Sequence, residues 1–482
     1  MTTDFLEKRK LVFWLGPSPT ESYNLEFRNR NLTIQVVDSI PKPAILSNAR
    51  GVVVIYNEEK RNAFRSLILV LSKCAKTYGL AVMAIVPKDE NYLSMYAELR
   101  RINWFPDNRI SPTEYEVAEY IARHHVGPPV NLDLEIQALD SIELSEVEIL
   151  LLKRAFYDCR KITLQFIPGG RSAKVFQIEA VFNQSAYVPR PLPFFAKIGE
   201  TERIKTEFKK YWQYVYHHIP FHLHPGIYHE RSIFGDQRGI IVGNFVEKSE
   251  SLREVIRNGR TGIIGAIYLD SLKSWREQSK SHENLNWDIF RPVDVPVERV
   301  SAARKLGSKK SPEELLSILN GLPNRKHQNG IVHGDLHDLN IRVRQNDAIL
   351  IDFAKVREGP IVADCAALEV SLVFDHDLVG EEKIKWIKFV KYIYALKFCK
   401  VVPDFKIEKA LCWLGAAVYE IRKIACSRRA SEYEFSIVLA LYLLNRSMYP
   451  GESEVDEECK TYAYVIAELL ILEIAAEMGC KC

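Results

Sequence analysis

The chain has 482 residues, 47% of them hydrophobic and 26% charged, with a formal net charge of +3. That length accommodates two or three domains with sizeable cores, and so small a charge excludes a whole-protein field for nucleic acid or a membrane surface. The nine cysteines are odd in number and follow no zinc spacing, so a reducing, cytosolic setting is expected.

The N-terminus, Met1 to Lys10, carries acidic residues and no apolar run, so no signal peptide is expected. The apolar runs Leu11–Leu15, Leu32–Val37, Gly51–Tyr56 and Leu80–Val86 suit strands buried on both faces. A helical pattern covers Asn62–Tyr78. Ser111-Pro112-Thr113-Glu114 reads as a capping box that opens a helix to His125. Strands alternating with helices imply a small parallel α/β domain over residues 1–130. This block resembles a flavodoxin-like receiver module. The third strand ends Ile55-Tyr56-Asn57, without a phosphate-accepting Asp, and the first ends Leu15-Gly16-Pro17, without an acidic pair for Mg²⁺. The resemblance therefore implies a degenerate receiver-like module that engages a protein partner.

Residues 131–144 are polar and acidic enough for a linker. Ser145-Glu146-Val147-Glu148 is a capping box. Residues 160–250 turn β-rich, so 145–250 forms one lobe and 251–482 a second, helical one. A further capping box stands at Ser311-Pro312-Glu313-Glu314. Helical patterns cover 383–400, 407–426, 431–448 and 453–478. The most apolar late segment, Tyr462 to Ala476, is interrupted by Glu468 and Glu473 and is too short to span a bilayer.

The decisive segment runs from Ile331 to Asn340, Ile-Val-His-Gly-Asp-Leu-His-Asp-Leu-Asn, followed by Leu350-Ile351-Asp352-Phe353. Phosphoryl transfer from a nucleotide needs positioning and charge neutralisation more than covalent chemistry. One carboxylate must orient or deprotonate the acceptor hydroxyl. An amide oxygen and a second carboxylate must hold Mg²⁺, which prefers hard oxygen ligands. Asp335, Asn340 and Asp352 supply these groups in order. Strands Ile341–Arg344 and Ala348–Ile351 around Gln345-Asn346-Asp347 form a hairpin that returns Asp352 beside Asn340.

His-Gly-Asp-Leu-His-x-x-Asn followed by Ile-Asp-Phe resembles the signature of the aminoglycoside phosphotransferase and choline kinase superfamily. The resemblance implies an α+β bilobal protein-kinase-like fold over 145–482, with its catalytic loop at 331–353. It implies Asp335 as catalytic base, Asn340 and Asp352 as Mg²⁺ ligands, and ATP or GTP as nucleotide. Upstream, Gly169, Gly170 and Ser172 lie in a turn that looks like a nucleotide-covering loop. Lys197, in Phe194-Phe195-Ala196-Lys197-Ile198, resembles the phosphate-anchoring Lys. A Lys in such a run is costly unless paired. Glu207, beside Ile204 and Phe208 on the next helix, is its expected partner. Gly239–Val246 resembles the strand and hinge that cradle adenine, with backbone groups from Asn244 to Val246 contacting the base. Asp364 matches a later Asp that braces the catalytic loop. His337 stands where protein kinases carry a catalytic Lys.

His217, His218, His222 and His224 crowd one stretch, but Pro220 and Pro225 interrupt it, and packed or solvated histidines are expected rather than a metal site. Arg304, Lys305, Lys309 and Lys310 read as a solvated loop rather than a nucleic-acid surface. The acceptor, a small molecule or a partner protein, has no readable code; Glu369, Asp375 and Asp377 are candidates for an acidic cleft that would suit a cationic acceptor. The expected activity is an ATP- and Mg²⁺-dependent phosphotransferase. The alternative is a nucleotide-binding regulatory module in a bacterial signalling, stress or defence system.

Overall fold

The computed structural model describes residues 9–46, 49–57, 63–64, 66–68, 70–71, 80–85, 113–123, 128, 130–167, 173–183, 192–235, 238–282, 295–323, 326–375, 380–400, 411–451 and 453–480. Two compact units divide the chain. One comprises Met1–Phe208 and Gly226–Phe245, the other Lys209–Pro225 and Val246–Cys482.

The first unit begins with four parallel strands, β1 (Leu11–Leu15), β2 (Thr33–Val37), β3 (Gly51–Ile55) and β4 (Ala81–Ile85), in the order β2-β1-β3-β4. Strand β3, Gly-Val-Val-Val-Ile, is apolar on both faces because both are covered. Phe13, Val52, Val54 and Ile68 pack on one side. Val12, Trp14, Phe27, Val53 and Ile121 pack on the other. The second side is closed by α1 (Glu21–Asn29) and α2 (Glu114–Arg123). The parallel α/β expectation therefore holds, whereas a receiver likeness stays an expectation. Helix α2 starts later than expected. Thr113 Oγ1 accepts from the Glu116 amide and Glu116 Oε2 from the Thr113 amide, which makes a Thr113/Glu116 capping box. Ser111 lies outside the described residues, as does most of 62–78.

The stretch 131–144, expected as a linker, contains strand β5 (Glu135–Ala138), paired in parallel with β6 (Cys159–Ile167). Between them runs α3 (Glu146–Ala155), closed by the expected Ser145/Glu148 capping box. The sheet continues antiparallel through β7 (Ala173–Phe182), β8 (Leu192–Glu200), β10 (Arg238–Asn244) and the short β9 (Ile233–Phe234). Leu152, Phe156, Ile162, Phe176, Ile178, Phe194, Ile198 and Val242 form its core. Helix α4 (Thr201–Lys210) follows β8 directly.

The second unit is mainly helical. Its two small sheets have the orders β11-β14-β15 and β12-β13-β16. These comprise β11 (Glu250–Ser251), β12 (Lys280–His282), β13 (His327–Val332), β14 (Ile341–Arg344), β15 (Asp347–Leu350) and β16 (Arg357–Pro360). Helix α5 (Leu252–Arg257) leaves β11 through a Ser251/Glu254 capping box. Helices α6 (Val297–Lys305) and α7 (Pro312–Asn320) follow, the latter with the expected Ser311/Glu314 box. Helix α8 (Ala363–Phe374) has all twelve residues buried. Around it lie α9 (Gly380–Ile393), α10 (Cys412–Ser427), α11 (Glu434–Arg446) and α12 (Glu454–Glu477). Among the described residues no helix is long and apolar enough to cross a membrane.

Candidate active site

Strand β13 delivers the chain to His333 and Gly334, whose amides both donate to Asp364, at 2.8 and 3.0 Å. Asp364 sits in the first turn of α8, where a carboxylate also complements the helix dipole. Burial pushes its carboxyl up, against the pull of the two amide donors. His333 is fully buried, and its Nε2 donates to Ile351 O at 3.0 Å. A carbonyl only accepts, so the proton is on Nε2, and burial lowers the ring's pKa and favours this neutral form. Gly334 has φ +76, and a Cβ there would collide with the Lys355 carbonyl.

The next residues fold on themselves. The His337 amide donates to Asp335 O and the Asn340 amide to His337 O, each at 2.9 Å. Asn340 Nδ2 donates to Asp335 O at 2.9 Å. This fixes the Asn340 amide orientation, with Oδ1 at the end turned from that contact. The β14–β15 hairpin then turns at Gln345, which has φ +57. It is one residue tighter than expected, because Asp347 pairs with Arg344. Ile351 N donates to Asn340 O at 3.0 Å, which brings the following Asp352 back to the loop. Asp352 adopts φ +62, a conformation Asp tolerates better than most residues. Its Oδ1 accepts from the Ala354 amide at 3.3 Å.

Two lysines missed in the sequence secure this segment. Lys355 Nζ lies 3.0 Å from Asp335 Oδ1, and Lys210 Nζ donates to Ala354 O at 2.8 Å. Asp338 is also structural. It is buried, paired with Arg253 at 2.7 Å and bonded by Ser371 Oγ at 2.6 Å. The Arg253 guanidinium and the Ser371 hydroxyl hold its carboxyl below the usual range despite burial.

In the other unit, Lys197 Nζ lies 2.8 Å from Glu207 Oε2, with both side chains nearly buried. Lys197 is opposite Val175 on β7 and Ile241 on β10, so the ammonium rises from the middle of the sheet. Of the backbone groups expected to contact the base, the Asn244 amide donates to Gly226 O at 3.0 Å and the Phe245 amide to Pro193 O at 3.5 Å. Asn244 Oδ1 accepts from Tyr228 Oη. Val246 O accepts from Ser249 Oγ at 2.9 Å. Gly169, Gly170 and Ser172 lie outside the described residues, as does Asp377.

The acidic-cleft expectation fails for Glu369. It is fully buried and bidentate to Arg422, at 2.6 and 2.9 Å. Asp375 pairs with Arg446. His224 is buried, its Nδ1 within hydrogen-bond distance of Tyr211 Oη and Pro225 O, in agreement with a packed histidine. The Lys309 and Lys310 amides donate to Glu468, so part of the basic stretch is a folded turn.

Residues 278–380 match the sequence model of the phosphotransferase enzyme family, a span that includes every residue of the Asp335 loop. No curated protein matches the chain. Several solved structures are remotely similar. An amicoumacin kinase, hAmiN, in complex with AMP-PNP, Ca²⁺ and Ami, is 13% identical, with 65% of this chain and 88% of that one covered and a TM-score of 0.39. A choline kinase from Cryptosporidium parvum is 13% identical, with 66% and 91% covered and a TM-score of 0.31. The choline kinase LicA from Streptococcus pneumoniae is 13% identical, with 60% and 89% covered and a TM-score of 0.29. At this distance the reading of the site rests on the chain's own residues and on the family match.

Proposed function

We propose that residues 145–482 form a nucleotide-dependent phosphotransferase that moves the γ-phosphate of ATP, or of GTP, to a hydroxyl of a small molecule or partner protein. The observation that carries this is the closed loop in which Asn340 Nδ2 bonds Asp335 O while Ile351 N bonds Asn340 O, so that three oxygen-bearing side chains issue from one hydrogen-bonded segment. Asp335 orients the acceptor hydroxyl and takes its proton. Asn340 Oδ1 and the Asp352 carboxylate are hard donors suited to Mg²⁺, with phosphate and water completing the shell. Among the described residues no three His, Cys, Asp or Glu side chains gather as a metal cluster. Mg²⁺, when bound, would neutralise the phosphate oxygens. The Lys197–Glu207 pair supports the reading independently, because a lysine oriented by a carboxylate is a preformed phosphate anchor.

The test is a thermal-shift screen of the full chain with ATP, GTP and Mg²⁺, then a phosphate-transfer screen over sugars, amino alcohols and cell extract. Nucleotide- and Mg²⁺-dependent stabilisation with turnover abolished by Asp335→Asn is expected. Binding without turnover, unchanged by Asp335→Asn, would favour the regulatory alternative, in which the N-terminal α/β module relays the nucleotide state to a partner.

A further inference from the structure

The Lys355–Asp335 contact has a cost and a use. The candidate base is engaged by a cation at 3.0 Å, yet the two side chains are 51% and 36% exposed. A pair this solvated contributes little to folding and exchanges partners readily. Its placement, by contrast, is strictly held. The Lys355 carbonyl approaches Gly334 so closely that no side chain fits there. Lys210 binds the carbonyl of the preceding Ala354. The backbone beneath Lys355 is thus fastened on two sides while its ammonium is only lightly bound.

Charge accounting points the same way. Phosphoryl transfer spreads negative charge over the oxygens of the transferred group, and a cation beside the base is well placed to share in meeting that charge. Within the loop that follows Asp335, position 337 is a histidine. The Lys355 ammonium is the cation in contact with the Asp335 carboxylate. Resting on the reading of Asp335 as base, we propose that Lys355 is a phosphoryl-contacting residue. It holds Asp335 while no nucleotide is bound. It turns to the γ-phosphate oxygens when the triphosphate binds, which releases Asp335 to the acceptor hydroxyl. No bond is made to Lys355, and its protons stay in place.

The proposal separates ATP from ADP at equilibrium, without need of an acceptor. Isothermal titration of the full chain with Mg²⁺ would compare AMP-PNP with ADP. Loss of a charge-assisted hydrogen bond to the γ-phosphate in Lys355→Met is expected to weaken AMP-PNP about tenfold with ADP unchanged. Lys355→Arg is expected to recover most of the loss, and the thermal midpoints of all three proteins to agree. Equal affinities of wild type and Lys355→Met for AMP-PNP would overturn the role of Lys355 while leaving the nucleotide site standing. Equal weakening of both nucleotides would overturn it too, by making Lys355 a general phosphate or folding contact. A wild-type chain that binds neither nucleotide would sink the phosphotransferase reading itself, and Lys355 with it.

Discussion

Arg422 on α10 and Glu369 on α8 form a bidentate ion pair with no solvent exposure on either side chain. Arg422 Nη1 also donates to Ile393 O and Phe398 O, at 2.7 and 3.2 Å, so one guanidinium ties four segments of the helical unit. Breaking a buried pair by removing one partner costs about 3–5 kcal/mol, whereas replacing both with apolar groups of similar volume is often neutral. Glu369→Gln should therefore lower the urea midpoint sharply, and a Glu369→Leu/Arg422→Met double variant should recover much of the loss. If Glu369→Gln leaves the midpoint unmoved, the pair is not buried as described.

Gly334→Ala tests the backbone of the loop. A left-handed conformation costs a non-glycine residue about 1–2 kcal/mol, before the collision with the Lys355 carbonyl is counted. We expect a modest fall in stability and a larger fall in turnover, since the collision displaces the loop that carries Asp335. Equal turnover for wild type and variant would show that the loop's path tolerates displacement.

Glu207 and Lys197 should separate stability from binding. With both side chains nearly buried, Glu207→Ala removes a carboxylate that compensates the Lys197 ammonium, and both stability and nucleotide affinity should drop. Lys197→Met with Glu207→Leu should restore stability but not nucleotide binding. Restored binding in the double variant would refute the proposed role of Lys197 as a phosphate anchor.

Glu434 gives a pH signature. It is buried, accepts from the amides of Gln328 and Ala430 at 3.0 and 2.5 Å, and burial pushes its carboxyl from 4.5 to about 7. The folded state then binds the proton more tightly than the unfolded chain. Stability from this group is complete below about pH 4.5 and is lost as pH rises to about 7, by roughly 3 kcal/mol in all. From pH 5 to 8 the urea midpoint of wild type should fall steadily relative to that of Glu434→Gln, which has no carboxyl to titrate at that position. A constant difference across the range would refute it.

What the sequence reveals follows the range of the interactions. The loop from His333 to Asp352 was legible because its hydrogen bonds join residues near in sequence, as Asn340 does to Asp335. The Lys197–Glu207 pair was legible because an apolar strand with one lysine demands a nearby acid. Lys210 was not, for its acceptor Ala354 lies 144 residues away. Helix α1 gives a weak sequence signal because it buries only Phe27, although Thr20 caps it. Glu369 misleads for the opposite reason. An acidic residue in an apolar helix looks like a site until a distant arginine accounts for it. Strand β5, Glu-Ile-Gln-Ala, reads as polar linker because it lies at a sheet edge with mostly exposed side chains.

That last strand sets where the protein can be shortened. A chain begun at residue 145 would strip β6 of its outer neighbour, leaving a row of unsatisfied amides and carbonyls open to self-association. It would also delete Leu134 from the core it shares with Leu151 and Ile162. A chain begun at residue 131 keeps both, along with the Asn131 side chain that caps the Cys159 carbonyl at 2.6 Å.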